Sequence, residues 1–333
     1  MTTDMQPIIR KTRESLAAHC IAPGQYRRWT RKPSWCDDSL GINAYGCADA
    51  ANILYTIGEF PQDDAERSAF VRTLQSMQDP ETGLFHEGTH LACHTTAHCI
   101  AALELFDARP LYPLKAFAFT NEDGALEDFL DNIGWMDEPS SPAGHLGAGI
   151  YAAMVNAGEA SPDWCKRWYK WFWDHTDPED GFWRKGDRAA GSRLAPHMRM
   201  GGSFHFLFCL EHGHQPLRYP EKIIDSCLAM YDTMPPHFFG SAHFLQIDWI
   251  YCLSRASRQT PHRFEEVREA VRRFAHIYIG YLLDADFRCD PSLDDLHLLF
   301  GSLCAAAEIQ NFLRGEWHSD KPLKLVLDRR PFI

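Results

Sequence analysis

The chain has 333 residues, 45% of them hydrophobic and 23% charged, a globular composition that excludes the fibrous and disordered classes. A formal net charge of −12 argues against a nucleic-acid partner, because phosphate contacts need a basic face. No apolar run approaches the roughly 20 residues of a membrane span, and the first residues lack a signal-peptide core. The eleven cysteines are scattered without paired spacing, as expected for reduced thiols in a cytoplasmic protein.

Helical periodicity runs through nearly the whole chain, and two kinds of helix alternate. "IIRKTRESLAAHC" is amphipathic, and "NAYGCADAANILYTIG" after it is small and apolar all round. "DDAERSAFVRTLQSMQ" places Phe70, Val71, Leu74 and Met77 in one stripe and is followed by the apolar "HTTAHCIAALELF". The apolar "HLGAGIYAAMVNAG" comes next, then "DWCKRWYKWFWDH", with Trp164, Trp168, Trp171 and Phe172 on one face. "RMGGSFHFLFCLEHG", "PEKIIDSCLAMYDTM", "HFLQIDWIYCLSRAS", "FEEVREAVRRFAHIYIGYLL" and "DDLHLLFGSLCAAAEIQNFL" continue the alternation. Equivalent points, among them Asp49, His98, Gly149, His205 and Asp248, recur roughly every 50 residues, the mark of an array.

Helices apolar all round must be buried, and helices with one charged face must lie outside them. The expected fold is therefore all-α: an (α/α)6 toroid of six helical hairpins, with six buried helices ringed by amphipathic ones. It is expected to occupy residues 1–315 as one domain, with 316–333 as a C-terminal tail packed on it. An open solenoid of helix pairs, serving as a binding scaffold, is the alternative. Two loops leading into buried helices are twins, "QDPETGLFHEG" and "TDPEDGFWRKG", in which Asp-Pro starts a turn and Gly takes a backbone angle other residues avoid.

The text D-x-x-x-G-L/F-F/W followed by "HTTAHCIAALELF" resembles the repeat of the α/α-toroid enzymes. The likeness covers the helix-pair pattern of about the whole chain. One branch of that group holds the six-hairpin glycosidases, uronyl hydrolases and sugar epimerases, and another the terpene cyclases and prenyltransferase β-subunits. The second branch's acid motif has only the faint echo "SLDDLH", and its Asp-x-Cys zinc pattern appears only reversed, as Cys47-x-Asp49. The tryptophan-rich segments of uronyl hydrolases are missing too. The resemblance thus implies an architecture and an enzyme, without transferring any catalytic residue.

Polar residues in the first turns of the buried helices face one mouth of such a toroid. In chain order these are Asp37, Asp38, Tyr45 and Asp49, then His90, His94 and His98, then His145. His197, Arg199 and His205 follow, then His243, Gln246 and Asp248, and last Asp294, which reads as an N-cap, with Asp295 and His297. His94 and His98, at i and i+4, share a helix face. Imidazole exchanges protons near neutrality and a carboxylate can orient it. The catalytic candidates are accordingly His98, His94, Asp49, Asp248 and His205, with Tyr45, His145, Arg184, Arg199, His243, Trp35 and Trp183 as substrate contacts.

The segment "FWRKGDRAAGSRLAPHMR" sets Arg184, Lys185, Arg188, Arg193 and Arg199 against the lone Asp187, a pattern that suits an anion clamp. There is no H-E-x-x-H and no C-x-x-C, so neither a metal nor a cofactor is expected. A polar lining favours a carbohydrate-active enzyme (hydrolase, lyase or epimerase) acting on a small-molecule or oligosaccharide substrate, acidic sugars included. The alternatives are an isoprenoid cyclase or prenyltransferase-like enzyme, which needs a dry aromatic cavity, and a catalytically silent scaffold.

Overall fold

The structure, a computed structural model, describes residues 3–33, 40–135, 141–183, 195–234 and 239–333. It is mostly helical, as the periodicity predicts, and the few strands are two or three residues long. Among the described residues no helix is long and apolar enough to cross a membrane, and the ten described cysteines are free thiols.

Six helices carry the core: α2 (Ala44–Thr56), α4 (Ala92–Leu105), α6 (Ser141–Ala157), α8 (Pro196–His212), α10 (Phe244–Ala256) and α12 (Leu296–Phe312). Each packs on the next in this order, and α12 returns to pack on α2. They are buried nearly all round; from Leu296 to Gln310 in α12 only Leu298 is partly exposed. Small residues allow this closeness. A Cβ at Gly144 of α6 would lie 2.6 Å from the Gly202 carbonyl oxygen of α8, so only glycine lets these two helices meet there.

The amphipathic helices cover this set with their apolar stripes. They are α1 (Gln6–His19), α3 (Asp64–Gln75), α5 (Ala125–Asn132), α7 (Pro162–His175), α9 (Pro220–Thr233) and α11 (Phe264–Asp284). In α7 the predicted face Trp164, Trp168, Trp171 and Phe172 is buried, and the Trp168 indole N–H donates to the Gly147 carbonyl of α6 at 3.0 Å. α5 is too short for a readable stripe: it buries only Leu126 and Leu130 and follows a 3-10 turn at Lys115–Asn121.

The twin loops fold alike. Asp79 accepts the Glu81 N–H at 2.7 Å and Asp177 the Glu179 N–H at 2.8 Å. Gly83 and Gly181 adopt φ of 80° and 77°, and Gln78–Phe85 and Thr176–Trp183 form matching single bridges. Phe85 and Phe182 are thereby turned into the core. The N-cap of α12 is Asp295, which accepts the His297 N–H at 2.9 Å. Asp294, expected to cap, instead accepts from the Thr30 hydroxyl and from the backbone N–H groups of Thr30 and Arg31.

The segment 316–333 does more than lie on the surface. Trp317–His318 pairs in parallel with Thr3–Asp4, and a short helix, α13 (Val326–Arg329), packs on α8 and α2. The chain then turns inward, burying Arg330, Phe332 and Ile333. Phe332 adopts φ 135°, a strained angle for a side-chain-bearing residue. It packs 4.7 Å from the His94 ring and 5.6 Å from Phe208.

Candidate functional site

A cavity of about 270 Å³ lies at the N-terminal ends of the buried helices. His90 reaches it from the loop before α4, His94 from the first turn of α4, and His145 from α6. α8 contributes His197 and His205, α10 contributes Asp248 with His243 just before it, and α12 contributes His297. Phe204, Phe244, Leu245 and Ile247 supply apolar wall, and Ile333 of the inserted tail closes it from within.

Behind the wall Asp49 organises two histidines. Its Oδ1 accepts the His98 Nε2–H at 2.8 Å and the His297 Nδ1–H at 3.1 Å. Asp49 and His98 are completely buried. Burial alone would raise the Asp49 carboxyl, but His297 and His98 outweigh it and hold the group well below the usual carboxylate range. Burial pushes His98 down to about 4 despite the pull of Asp49, so it donates as a neutral ring. His297 also lines the cavity, and with Nδ1 committed to Asp49 its Nε2 is the ring atom left for a substrate.

A second imidazole group lies beside it. The His94 and His145 rings are 4.1 Å apart and those of His145 and His205 5.1 Å. Burial first, and then repulsion between the rings, holds His94 and His145 well below the ordinary histidine value. Burial brings His205 and His90 each to about 4. All four are neutral at pH 7. Tyr45 hydrogen-bonds His94 Nδ1 through its hydroxyl, and the His205 Nδ1–H donates to the Gly201 carbonyl at 2.9 Å. Across the cavity burial drives the Asp248 carboxyl the other way from Asp49, well above the usual carboxylate range.

Arg28 locks the rim. It grips Asp295 in a bidentate pair at 2.8 and 2.9 Å and reaches the Thr89 hydroxyl at 2.6 Å and Glu87 at 3.2 Å. Its guanidinium also lies 4.9 Å over the Tyr45 ring. One buried cation thus ties the start of α12, which carries His297, to the loop that carries His90.

Of the residues singled out from the sequence, His94, His145, His205, His243 and Asp248 converge on the cavity. Tyr45, Asp49 and His98 lie behind its wall, where His98 touches Asp49, Tyr45 and the cavity-lining His297. Trp183 is not a funnel-mouth platform. Its indole N–H donates to the Phe172 carbonyl at 2.7 Å, and its ring packs on Phe172 and Phe206 beside an outward groove. The reason is the turn, which directs the residues after Gly181 inward. Arg199 does not line the cavity and faces Asp180 at 3.7 Å. Trp35, Asp37, Asp38, Arg184, Lys185, Arg188 and Arg193 lie outside the described residues.

His297 was legible as a rim residue but not as the partner of Asp49. Ile333 carried no signal, since nothing in "EWHSDKPLKLVLDRRPFI" marks its end as an insert. No family model, curated protein or solved structure matches the chain.

Proposed function

We propose that the chain is an (α/α)6-toroid enzyme that moves a proton on a small polar molecule, a single sugar unit being the best fit. The ring order of α2, α4, α6, α8, α10 and α12 supports the toroid. The observation that carries the reaction is His297, a cavity-lining imidazole whose Nδ1–H is anchored on the buried, ionised Asp49. Such an arrangement fixes the tautomer and stabilises the imidazolium that forms when Nε2 takes a proton, the usual logic of an oriented general base. Asp248, on another helix and pushed by burial toward its protonated form, is suited to donate to the oxygen on which charge develops. Two buried carboxyl groups driven in opposite directions are the expected signature of a base–acid division of labour.

Within the carbohydrate class this favours epimerase- or lyase-type chemistry at a carbon next to a carbonyl. Hydrolysis between sugars uses two carboxyl groups flanking the scissile bond, and among the described residues Asp248 is the only carboxyl group lining this cavity. A volume of about 270 Å³ is below the roughly 300–1,000 Å³ of drug-sized pockets, which suits one ring rather than an oligosaccharide. Seven histidines in the wall count against an isoprenoid carbocation, which they would quench. The acidic-sugar variant draws no support from Arg199, which turns to Asp180.

The test is solvent exchange. Monosaccharides and their ketose and uronate forms are incubated with the protein in D2O and followed by NMR for deuterium entering a C–H next to a carbonyl. Wild-type protein exchanges one class of sugar, and His297→Asn slows it by roughly 10²–10⁴-fold, the usual contribution of a positioned base. Equal exchange by both proteins sinks the assignment of His297.

A further inference from the structure

We propose that His94, His145 and His205 form a binding site for one divalent transition-metal ion, zinc above all, with an open coordination position facing the cavity. The three rings come from three different helices, and one ligand nitrogen of each lies within 4.8 Å of the other two. A tetrahedral zinc ion with Zn–N bonds of about 2.0–2.1 Å needs its nitrogens roughly 3.4 Å apart. With the nitrogens all within 4.8 Å of one another, each pair has at most about 1.4 Å to close, within the reach of side-chain rotation. Histidine spacing in the sequence gave no metal motif because each ligand belongs to a separate repeat.

The surroundings of the three rings match what metal-bound histidines require. A ligating imidazole is normally held through its other nitrogen by a second group, which fixes the tautomer. The His205 Nδ1–H is already given to the Gly201 carbonyl, which frees Nε2 as a lone-pair donor. His94 Nδ1 is held by Tyr45, whose hydroxyl can accept as well as donate, so the tautomer with a free Nε2 is available. The rings are close because the backbone is close: Gly144 meets Gly202, immediately beside His145 and His205. A cation at the centre of the three rings replaces ring–ring contact with three bonds. Three histidines with the fourth position open to a cavity is the donor set of a catalytic zinc site rather than a structural one.

A competing trio, Asp49, His98 and His297, also has its ligand atoms within 4.8 Å. There Asp49 already accepts an N–H from each ring. A metal there would have to displace both protons and break the hydrogen bonds that Asp49 already accepts. The two trios share no residue, so they can be told apart. The metal site stands independently of the sugar chemistry proposed above; an ion there would supply a Lewis acid for a substrate oxygen or a bound water of lowered pKa.

The experiment needs no substrate. The full chain, stripped with a chelator and dialysed, is titrated with Zn2+ and separately with Co2+. Zinc stoichiometry is read by elemental analysis, affinity by calorimetry, and geometry by the visible cobalt bands. The expected result is one ion per chain with tetrahedral or five-coordinate cobalt bands. His145→Ala, at the partly exposed start of α6, and His205→Ala lower affinity by more than about 100-fold. Tyr45→Phe removes only a ring-holding partner and lowers it roughly 10–100-fold. His98→Asn and His297→Asn bind as wild type does. No stoichiometric ion in the wild-type protein overturns the proposal. So does undiminished binding by folded His145→Ala and His205→Ala, or loss of binding in the His98 and His297 variants instead.

Discussion

Acidification should weaken the fold through His98 by a predictable amount. This imidazole is completely buried, and burial holds it near 4 against about 6.5 in an unfolded chain. The group's folded value is depressed, so the unfolded chain takes up its proton first as pH falls. Its stabilising contribution is complete above about pH 6.5 and is lost progressively down to about pH 4. At 1.36 kcal/mol per unit, the whole window is worth about 3 kcal/mol, and the step from pH 7 to pH 5 about 2 kcal/mol. Other buried histidines act in the same direction, so the assay is a comparison. Guanidinium unfolding of wild-type and His98→Gln protein is measured at both pH values; the Gln amide nitrogen falls about where the imidazole Nε2 was and can still donate to Asp49. Wild type should lose about 2 kcal/mol more than the variant across this step. An equal loss in the two proteins would refute the claim that His98 is held neutral by burial.

Other perturbations follow from single contacts. Gly144→Ala places a methyl group 2.6 Å from the Gly202 carbonyl oxygen, and forcing α6 from α8 should cost about 1–3 kcal/mol by urea unfolding; unchanged stability would deny the close approach. Arg28→Ala leaves the Asp295 and Glu87 carboxylates buried without their cation and should destabilise by about 3–5 kcal/mol, an effect read from the urea midpoint. Phe332→Ala empties a fully buried site against His94 and Phe208. The loss should be about 3–5 kcal/mol, less whatever strain at its φ of 135° is relieved, and a melt unchanged from wild type would show that the tail is not inserted.

The helical alternation was legible because burial imposes composition. Helices surrounded on all sides must be small and apolar, as in "DDLHLLFGSLCAAAEIQNFL", while covering helices must keep one charged face. The short α5 escaped because eight residues give too few turns to show a stripe. The location of the histidines at helix starts was readable from repeat position alone. Which imidazole faces the cavity was not: Asp49 holds both His98 and His297, and only the packing of α4 against α12 through α2 turns one inward and the other away. Trp183 was misassigned for a similar reason, since a turn fixes the direction of a side chain that sequence reveals only as aromatic. The three-histidine cluster was invisible as a unit because its members are about 50 to 60 residues apart and meet only through ring closure of the helices.

The central claim is that Asp49 and the Gly201 carbonyl fix the tautomers of His297 and His205 so that each presents Nε2 to the cavity, among neutral neighbours. Two-dimensional 15N–1H NMR of the imidazole rings at pH 7, assigned with single His→Asn variants, measures this directly. The account predicts Nδ1–H tautomers for His205 and His297, and neutral rings for His94, His145 and His205. An Nε2–H tautomer at either His205 or His297, or an imidazolium spectrum from the three-ring cluster at pH 7, would contradict it.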